Sequence, residues 1–389
     1  MCNFTIPNLL KIIGAKVIFP HFFTDFFFDI FMKQNTAQIL EEELVISKAT
    51  SHPEKMTFKF IDNQKLQLQN GDIVLNTMGS NFLGFDLKNG NNSEHRVIGN
   101  YFCGESDSLY ELQDSLSKFL QAEDTLIFGS YEALCADVLE SLLNTEDIII
   151  YDSAISLPMR RGVKICKADK LRFPHQDFDT LENHLKLAQT KRLRVIVTDG
   201  IFYDSGTCAN LPIIRQLAEK YDALVIVDDS YGFLTCGKQG RGADEFCGVR
   251  GFQDLKIVNM QNALCCNTGA FASGDKNIIE LLKLRSRCYR NSICPDQQSI
   301  SNAKQILEII SSDTSRIEKL HNNAHLFVKT LQNQGFVCQK PVAGIVSFVS
   351  EMSQEKIKSV LRQNNLIAQY SKVGKNTLVS FKISASWDM

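Results

Sequence analysis

Five segments constrain this chain more than anything else in it. TLIFG (125–129), EDIIIYD (146–152), RVIVTDG (194–200), ALVIVDD (223–229) and LKIVNM (255–260) are continuous apolar runs, not alternating ones. A strand covered on both faces carries apolar side chains at successive positions, whereas a strand with one wet face alternates. Between several runs lie segments with helical spacing: Tyr131 to Leu143, TLENHLKLAQTKR (180–192) and LPIIRQLAEKY (211–221). The combination predicts an α/β fold, a mostly parallel sheet covered by helices. From about Ser301 the pattern becomes a long helical stretch, followed by candidate strands GIVSFVS (344–350) and TLVSFKIS (377–384). A smaller C-terminal α+β domain is therefore expected over 301–389 and the large domain over 36–300, with residues 1–35 standing apart.

That first stretch contains PNLLKIIGAKVIFPHFFTDFFFDIFM (7–32), rich in phenylalanine from Phe19 to Phe31. Lys11, Lys16, Pro20, His21, Asp25 and Asp29 interrupt it, so no clean apolar run reaches bilayer-spanning length. No small-residue cleavage site follows a short apolar core, which argues against a signal peptide. Three readings fit: an interfacial amphipathic helix, a poor membrane span, or a helix packed on a partner. Membrane association is expected, and spanning stays open.

Charge and cysteine content exclude several classes. The 42 basic and 44 acidic side chains leave a net charge of -2 with no long run of either sign, so no nucleic-acid partner is expected. The twelve cysteines are scattered, form no C-x-x-C, and include the adjacent pair Cys265-Cys266, a poor geometry for one tetrahedral ion. They read as reduced, mostly structural thiols in a cytosol-facing protein. His321 and His325 share a helix face without an evident third ligand, and His175 reads as a loop residue ahead of a helix cap, so no metal site is expected. G-x-S-x-G, P-loop and G-x-G-x-x-G patterns are absent.

In open parallel sheets, ligands bind beyond the carboxyl ends of the strands. Three places qualify. FGSYEAL (128–134) takes a strand into a helix through Gly129, Ser130 and Tyr131, where free backbone N–H groups suit a phosphate, or where Ser130 is simply an N-cap. Asp228-Asp229 ends the run ALVIVDD, and an acid there suits a protonated pyridine nitrogen, a metal, or a turn. VNMQNALCCNTGAFASG (258–274) places Asn262 in the loop after a strand, with no lysine between Lys256 and Lys276.

Taken in order, these pieces resemble the α-oxoamine synthase family of fold-type I pyridoxal-phosphate enzymes, from roughly Ser80 to Ala385. SNFLGF (80–85), LQDSLSKFL (112–120), YDSAISLPMRRGV (151–163) and FPHQDFDTLENHL (173–185) carry the resemblance. The most specific stretches are TDGIFYDSGTCANLPIIRQLAEKYDALVIVDDSYGFLTCGKQGRG (198–242) and NMQNALCCNTGAFASG (259–274). The resemblance implies a Schiff-base lysine, which here matches Asn262. An amide nitrogen is neither basic nor nucleophilic, so no internal aldimine forms on it. Two family histidines match Ser156 and Tyr231, while Asp228 is kept where the family pairs its pyridinium nitrogen. Gly129, Ser130 and Tyr131 match a vestigial phosphate turn.

Within the family, the lost lysine and the N-M-Q-N-A-L and L-P-M-R-R-G forms are similar to the non-catalytic, long-chain-base subunit of eukaryotic serine palmitoyltransferase. That similarity implies a lysine-bearing homologue as partner, holding pyridoxal 5'-phosphate covalently, with none bound covalently on this chain. The pair would condense L-serine with a fatty acyl-CoA to 3-ketosphinganine, the first step of sphingolipid biosynthesis, at the endoplasmic reticulum membrane. Arg290, Asn291 and Ser292 match a segment that reaches the partner's cofactor phosphate in homodimeric relatives. Two alternatives stand beside this: a homodimeric synthase using a displaced lysine such as Lys256 or Lys238, and a catalytically dead membrane scaffold. Departures from the family pattern are a short, weakly matched region before Ser80, a thinned NYFCGESDSL (100–109), and an end at SFKISASWDM (380–389).

Overall fold

The computed structural model describes residues 24–50, 57–60, 65–75, 105–251, 253–291, 294–364 and 366–387. The chain before Thr24, the side chains up to residue 35, SNFLGF (80–85) and Ser292 lie outside the described residues. The expected membrane association of residues 7–32 rests largely on those residues. Helix α1 (Thr24–Thr50) runs across residue 35, and no described helix is long and apolar enough to cross a membrane. Glu43 on α1 bridges Arg192 at 2.5 Å and Arg285, and Arg192 in turn holds the buried Asp147 at 2.7 Å.

Among the described residues, four short strands come before the main sheet: β1 (Thr57–Phe60), β2 (Lys65–Leu68), β3 (Ile73–Leu75) and β4 (Glu105–Ser106). The main sheet has seven: β5 (Asp124–Phe128), β6 (Ile148–Asp152), β7 (Asp169–Phe173), β8 (Arg194–Asp199), β9 (Leu224–Asp228), β10 (Leu255–Asn259) and β11 (Ala270–Gly274). Their order is β5-β11-β10-β9-β8-β6-β7, and the pairs from β7 through β10 are parallel. This is the mostly parallel, helix-covered sheet expected from the apolar runs, in the fold-type I architecture that the resemblance implied. The antiparallel strand β11, between β5 and β10, is an addition to that expectation. Residues 260–269, which join β10 to β11, are too few for the dozen or more that a parallel crossover requires, so the chain turns straight back.

Except at the edge strand β7, both faces of the sheet are dry, which is why β5, β6, β8, β9 and β10 are largely apolar from one residue to the next. Ile149, Val195 and Val197 point into one core with Leu134, Val138 and Met159. Their neighbours Ile148, Ile150 and Ile196 point into the other with Leu181, Leu185 and Ile214. Each fully buried aliphatic side chain of this kind contributes about 1.5–3 kcal/mol, so a polar residue in any of these runs would be costly.

Helices Gln297–Ser312 and Ser315–Asn333 lead into the smaller α+β unit, whose strands β12 (Ile345–Ser350), β13 (Gln369–Val373) and β14 (Asn376–Lys382) form an antiparallel sheet in the order β12-β14-β13. This sheet rests on the loop after β8. Ser347 Oγ donates to Ser205 O at 2.6 Å, and Ser380 Oγ and Gln369 Nε2 donate to Asp204. Gly206 lies in this loop at φ +69°, and a Cβ there would sit 2.6 Å from Ile345 O. Glycine is what lets the two backbones meet.

Candidate active site

The site begins where β8 and β9 end together, with Asp199 and Asp228 in register at the carboxyl edge of the sheet. Asp228 is 2% exposed and accepts four hydrogen bonds. Ser230 donates twice to Oδ1, through its hydroxyl at 2.6 Å and its N–H at 3.2 Å. The Ser156 hydroxyl donates to Oδ2 at 2.9 Å, and the Tyr131 hydroxyl donates to the same oxygen. Burial pushes the Asp228 carboxyl above the ordinary range, and the Ser230, Tyr131 and Ser156 donors work against that shift. Asp199, also buried, accepts the Ser156 N–H at 3.1 Å. Burial and the neighbouring Asp228 charge raise its carboxyl strongly.

The local sequence explains how these hydroxyls arrive. Ser156 caps the helix Leu157–Ile165, with Pro158 near its start, and so stands on the connection after β6 facing Asp228. Ser130 caps the helix Tyr131–Leu142, its hydroxyl accepting the Ala133 N–H at 3.4 Å, which favours the N-cap reading of the Gly129-Ser130 turn. Tyr131 is the first residue of that helix. Its hydroxyl reaches across to Asp228 at the end of β9, and burial together with the Asp228 charge drives its phenol well above the ordinary range.

Asn262 sits on the single turn Met260–Ala263 that follows β10. Its Nδ2 donates to Ser230 O at 3.0 Å, which brings Asn262, the residue that the resemblance matched to the family lysine, to the same sheet mouth as Asp228. Tyr231 stacks against Tyr203 at 6.1 Å between centroids, and Lys382 Nζ from β14 lies 4.8 Å above its ring. Arg290 is half-buried and donates from Nη1 to Leu284 O at 3.4 Å, while Asn291 Nδ2 donates to Arg287 O at 3.1 Å. Among the described residues, no group of three or more His, Cys, Asp or Glu is arranged to hold a metal ion. His321 instead meets Thr235 O at 2.7 Å and His175 meets Asp152 at 3.1 Å.

Three participants were not singled out from sequence as parts of this site: Ser230, Asp199 and Lys382. Ser230 had a signal, since it follows directly on Asp228-Asp229. The others had none, because strand register brings them in.

Behind Asp228 lies a separate buried ion cluster. Lys256, 3% exposed, donates to Asp244 Oδ1 at 2.6 Å and to Arg241 O at 2.7 Å, and pairs with Asp229 Oδ2 at 3.0 Å. Burial opposes the ammonium charge, yet Asp229 and Asp244 prevail and hold Lys256 above its ordinary pKa. Gly242, the last glycine of G-K-Q-G-R-G, and Gly232 ahead of that motif find their reason here. A Cβ on Gly242, at φ +116°, would lie 1.8 Å from Asp229 Oδ2, and one on Gly232 2.0 Å from Oδ1.

Comparison with known proteins decides the family. The model of class I and II aminotransferases matches residues 99–377. A 2-amino-3-ketobutyrate coenzyme A ligase from Escherichia coli is 33% identical over 285 residues, covering 70% of this chain and 71% of the relative. The chain belongs to the class I and II aminotransferase family. Within it, the chain is a member of the pyridoxal-phosphate α-oxoamine synthases. An 8-amino-7-oxononanoate synthase from Thermosipho melanesiensis is 29% identical over 306 residues, covering 75% of this chain and 78% of the relative. Serine palmitoyltransferase from Sphingomonas wittichii shares the fold at a TM-score of 0.71 and 18% identity, covering 90% of this chain and 92% of that one. The S. paucimobilis enzyme with a bound PLP–myriocin aldimine superposes with the same TM-score and identity.

The residues of this α-oxoamine synthase chain do not fit a covalently held pyridoxal phosphate. Asn262 offers an amide in place of an amine. Both Asp228 oxygens already have protein donors, so a pyridinium N–H would have to displace the Tyr131 or Ser156 hydroxyl.

Proposed function

We propose that this chain is the non-catalytic subunit of a serine palmitoyltransferase, folded like its α-oxoamine synthase relatives but dependent on a lysine-bearing homologue for chemistry. The partner holds pyridoxal 5'-phosphate, and the complex condenses L-serine with a fatty acyl-CoA to 3-ketosphinganine. It does so at the endoplasmic reticulum membrane, with the catalytic domain facing the cytosol. The observation that carries this reading is Asn262, at the lysine position and tied to Ser230 O at 3.0 Å.

Further support comes from Lys256, the first candidate for a displaced lysine. A Schiff base needs a neutral amine with a free approach, whereas Lys256 is buried, paired with two carboxylates and raised in pKa. Lys238, the second candidate, is exposed to solvent. On this reading Arg290, Asn291 and Ser292 serve the partner's site.

Coexpression with the lysine-bearing homologue of the same genome tests the proposal. Long-chain-base synthesis is expected from the pair and from neither chain alone, and Asn262→Lys should not give this chain activity by itself, since Ser156 and Tyr231 remain. Turnover by the chain alone, with a pyridoxyl-lysine recovered after borohydride reduction, would refute the proposal.

A further inference from the structure

Two thiols from separate segments meet beside the Asp229 cluster. Cys208 bridges back to Ile201 in the loop after β8, and Cys247 caps the end of the short helix Ala243–Phe246. Their sulfurs are 3.6 Å apart, and both residues are half-buried. Cys135, Cys166, Cys236, Cys266 and Cys338 are buried. Cys236 lies behind the pair with its thiol on Val342 O at 3.4 Å.

We infer that Cys208 and Cys247 form a reversible dithiol–disulfide site, oxidised by peroxide and reopened by a thiol reductant. A disulfide bond is about 2.05 Å long, so the sulfurs must approach by roughly 1.5 Å. The neighbouring backbone suits such an adjustment, since Cys208 stands on a loop and Cys247 at the end of one helical turn.

The chemistry is complete with peroxide as the only co-reactant. Cys247 is the attacking thiol, because the contact between the two sulfurs lowers its pKa while raising that of Cys208. The Cys247 thiolate attacks a peroxide oxygen, so that an S–O bond forms and the O–O bond breaks, releasing hydroxide. Hydroxide takes the Cys208 proton and becomes water. The Cys208 thiolate then attacks the Cys247 sulfur, the S–S bond forms, the S–O bond breaks, and the departing hydroxide takes the proton released when Cys247 first ionised. Both sulfurs are oxidised, and one peroxide is reduced to two waters.

The bond would tie together two functional segments. The Cys208 loop carries the small sheet through Asp204 and Ser205, and the Cys247 helix carries Asp244, which holds Lys256. Oxidation therefore links the seat of the small domain to the support behind Asp228.

The full chain, purified under reducing conditions, is treated with hydrogen peroxide, blocked with N-ethylmaleimide and digested without reduction. A dominant Cys208–Cys247 cross-linked peptide is expected, with loss of labelling at both thiols and full recovery after dithiothreitol. Cys265→Ser, at an exposed thiol, should leave the cross-link unchanged. Cys208→Ser should instead drive Cys247 to sulfinic acid. Recovery of Cys247 from the unmutated chain as a singly oxidised or labelled residue without the link would overturn the inference. So would a link that appears only after unfolding in urea. Because the decisive measurement is made on the unmutated chain, a variant that failed to fold would not obscure it.

Discussion

The Ser156 hydroxyl donates to Asp228 Oδ2 at 2.9 Å across 72 residues of sequence, on the oxygen that also takes the Tyr131 hydroxyl. Ser156 thus helps close the buried carboxylate at the end of β9. The sheet mouth is satisfied by its own side chains.

Removing those donors should be felt in stability. Ser156→Ala or Tyr131→Phe each takes one hydrogen bond from a buried carboxylate, at a cost of about 1–3 kcal/mol. The double variant should lose more than the sum, because the shared oxygen then keeps no hydroxyl donor. Urea unfolding midpoints of the two singles and the double measure this. The Asp228 carboxyl is already raised, so the loss should shrink toward acidic pH, where it is protonated.

Lys256 is expected to be structural. Lys256→Met leaves Asp229 and Asp244 buried without a counter-charge and should cost about 3–5 kcal/mol. Soluble yield and denaturant midpoint report it. Borohydride treatment of the unmutated chain with pyridoxal phosphate should leave Lys256 unlabelled.

Gly242→Ala tests the reading of the G-K-Q-G-R-G segment. The new methyl meets Asp229 Oδ2 in a backbone conformation that L-residues avoid, so a destabilisation of about 3 kcal/mol or more is expected. Gly248→Ala is the comparison. It also has positive φ but open space around it, so it should cost only the backbone strain, about 1 kcal/mol.

Asp254 should give the chain a pH-dependent weakness. Its carboxyl is pushed up to about 7 by burial, with the Asp275 and Asp222 charges adding and the Val225 N–H opposing. The unfolded value is about 3.9, so between those pH values the folded state binds more protons than the unfolded one. Stability conferred by this group is present below pH ~4 and is lost as pH rises toward 7, at up to about 1.4 kcal/mol per pH unit. Asp254→Asn should flatten that part of the stability profile, as denaturant midpoints at several pH values would show.

Much of the architecture was legible because it depends on local pattern. Ile148, Ile149 and Ile150 in succession can only belong to a strand covered on both faces, and the helical spacing between such runs supplies the covers. The antiparallel turn of β11 was not read as a strand, since a five-residue apolar segment carries no direction of its own. Within the site, Asn262 and Asp228 were found from the motifs around them, whereas the partners of Asp228 were not.

What the amino-acid order determined alone is the layered α/β class and the chemistry that position 262 cannot perform, because side-chain type and short-range periodicity are properties of the chain itself. Only the tertiary structure decided that Ser156 and Tyr131 close on Asp228, that Lys256 is held by Asp229 and Asp244, and that Cys208 finds Cys247. Those pairings span strands and loops far apart in sequence. Strand order and register bring them within hydrogen-bonding distance, and no local pattern encodes either.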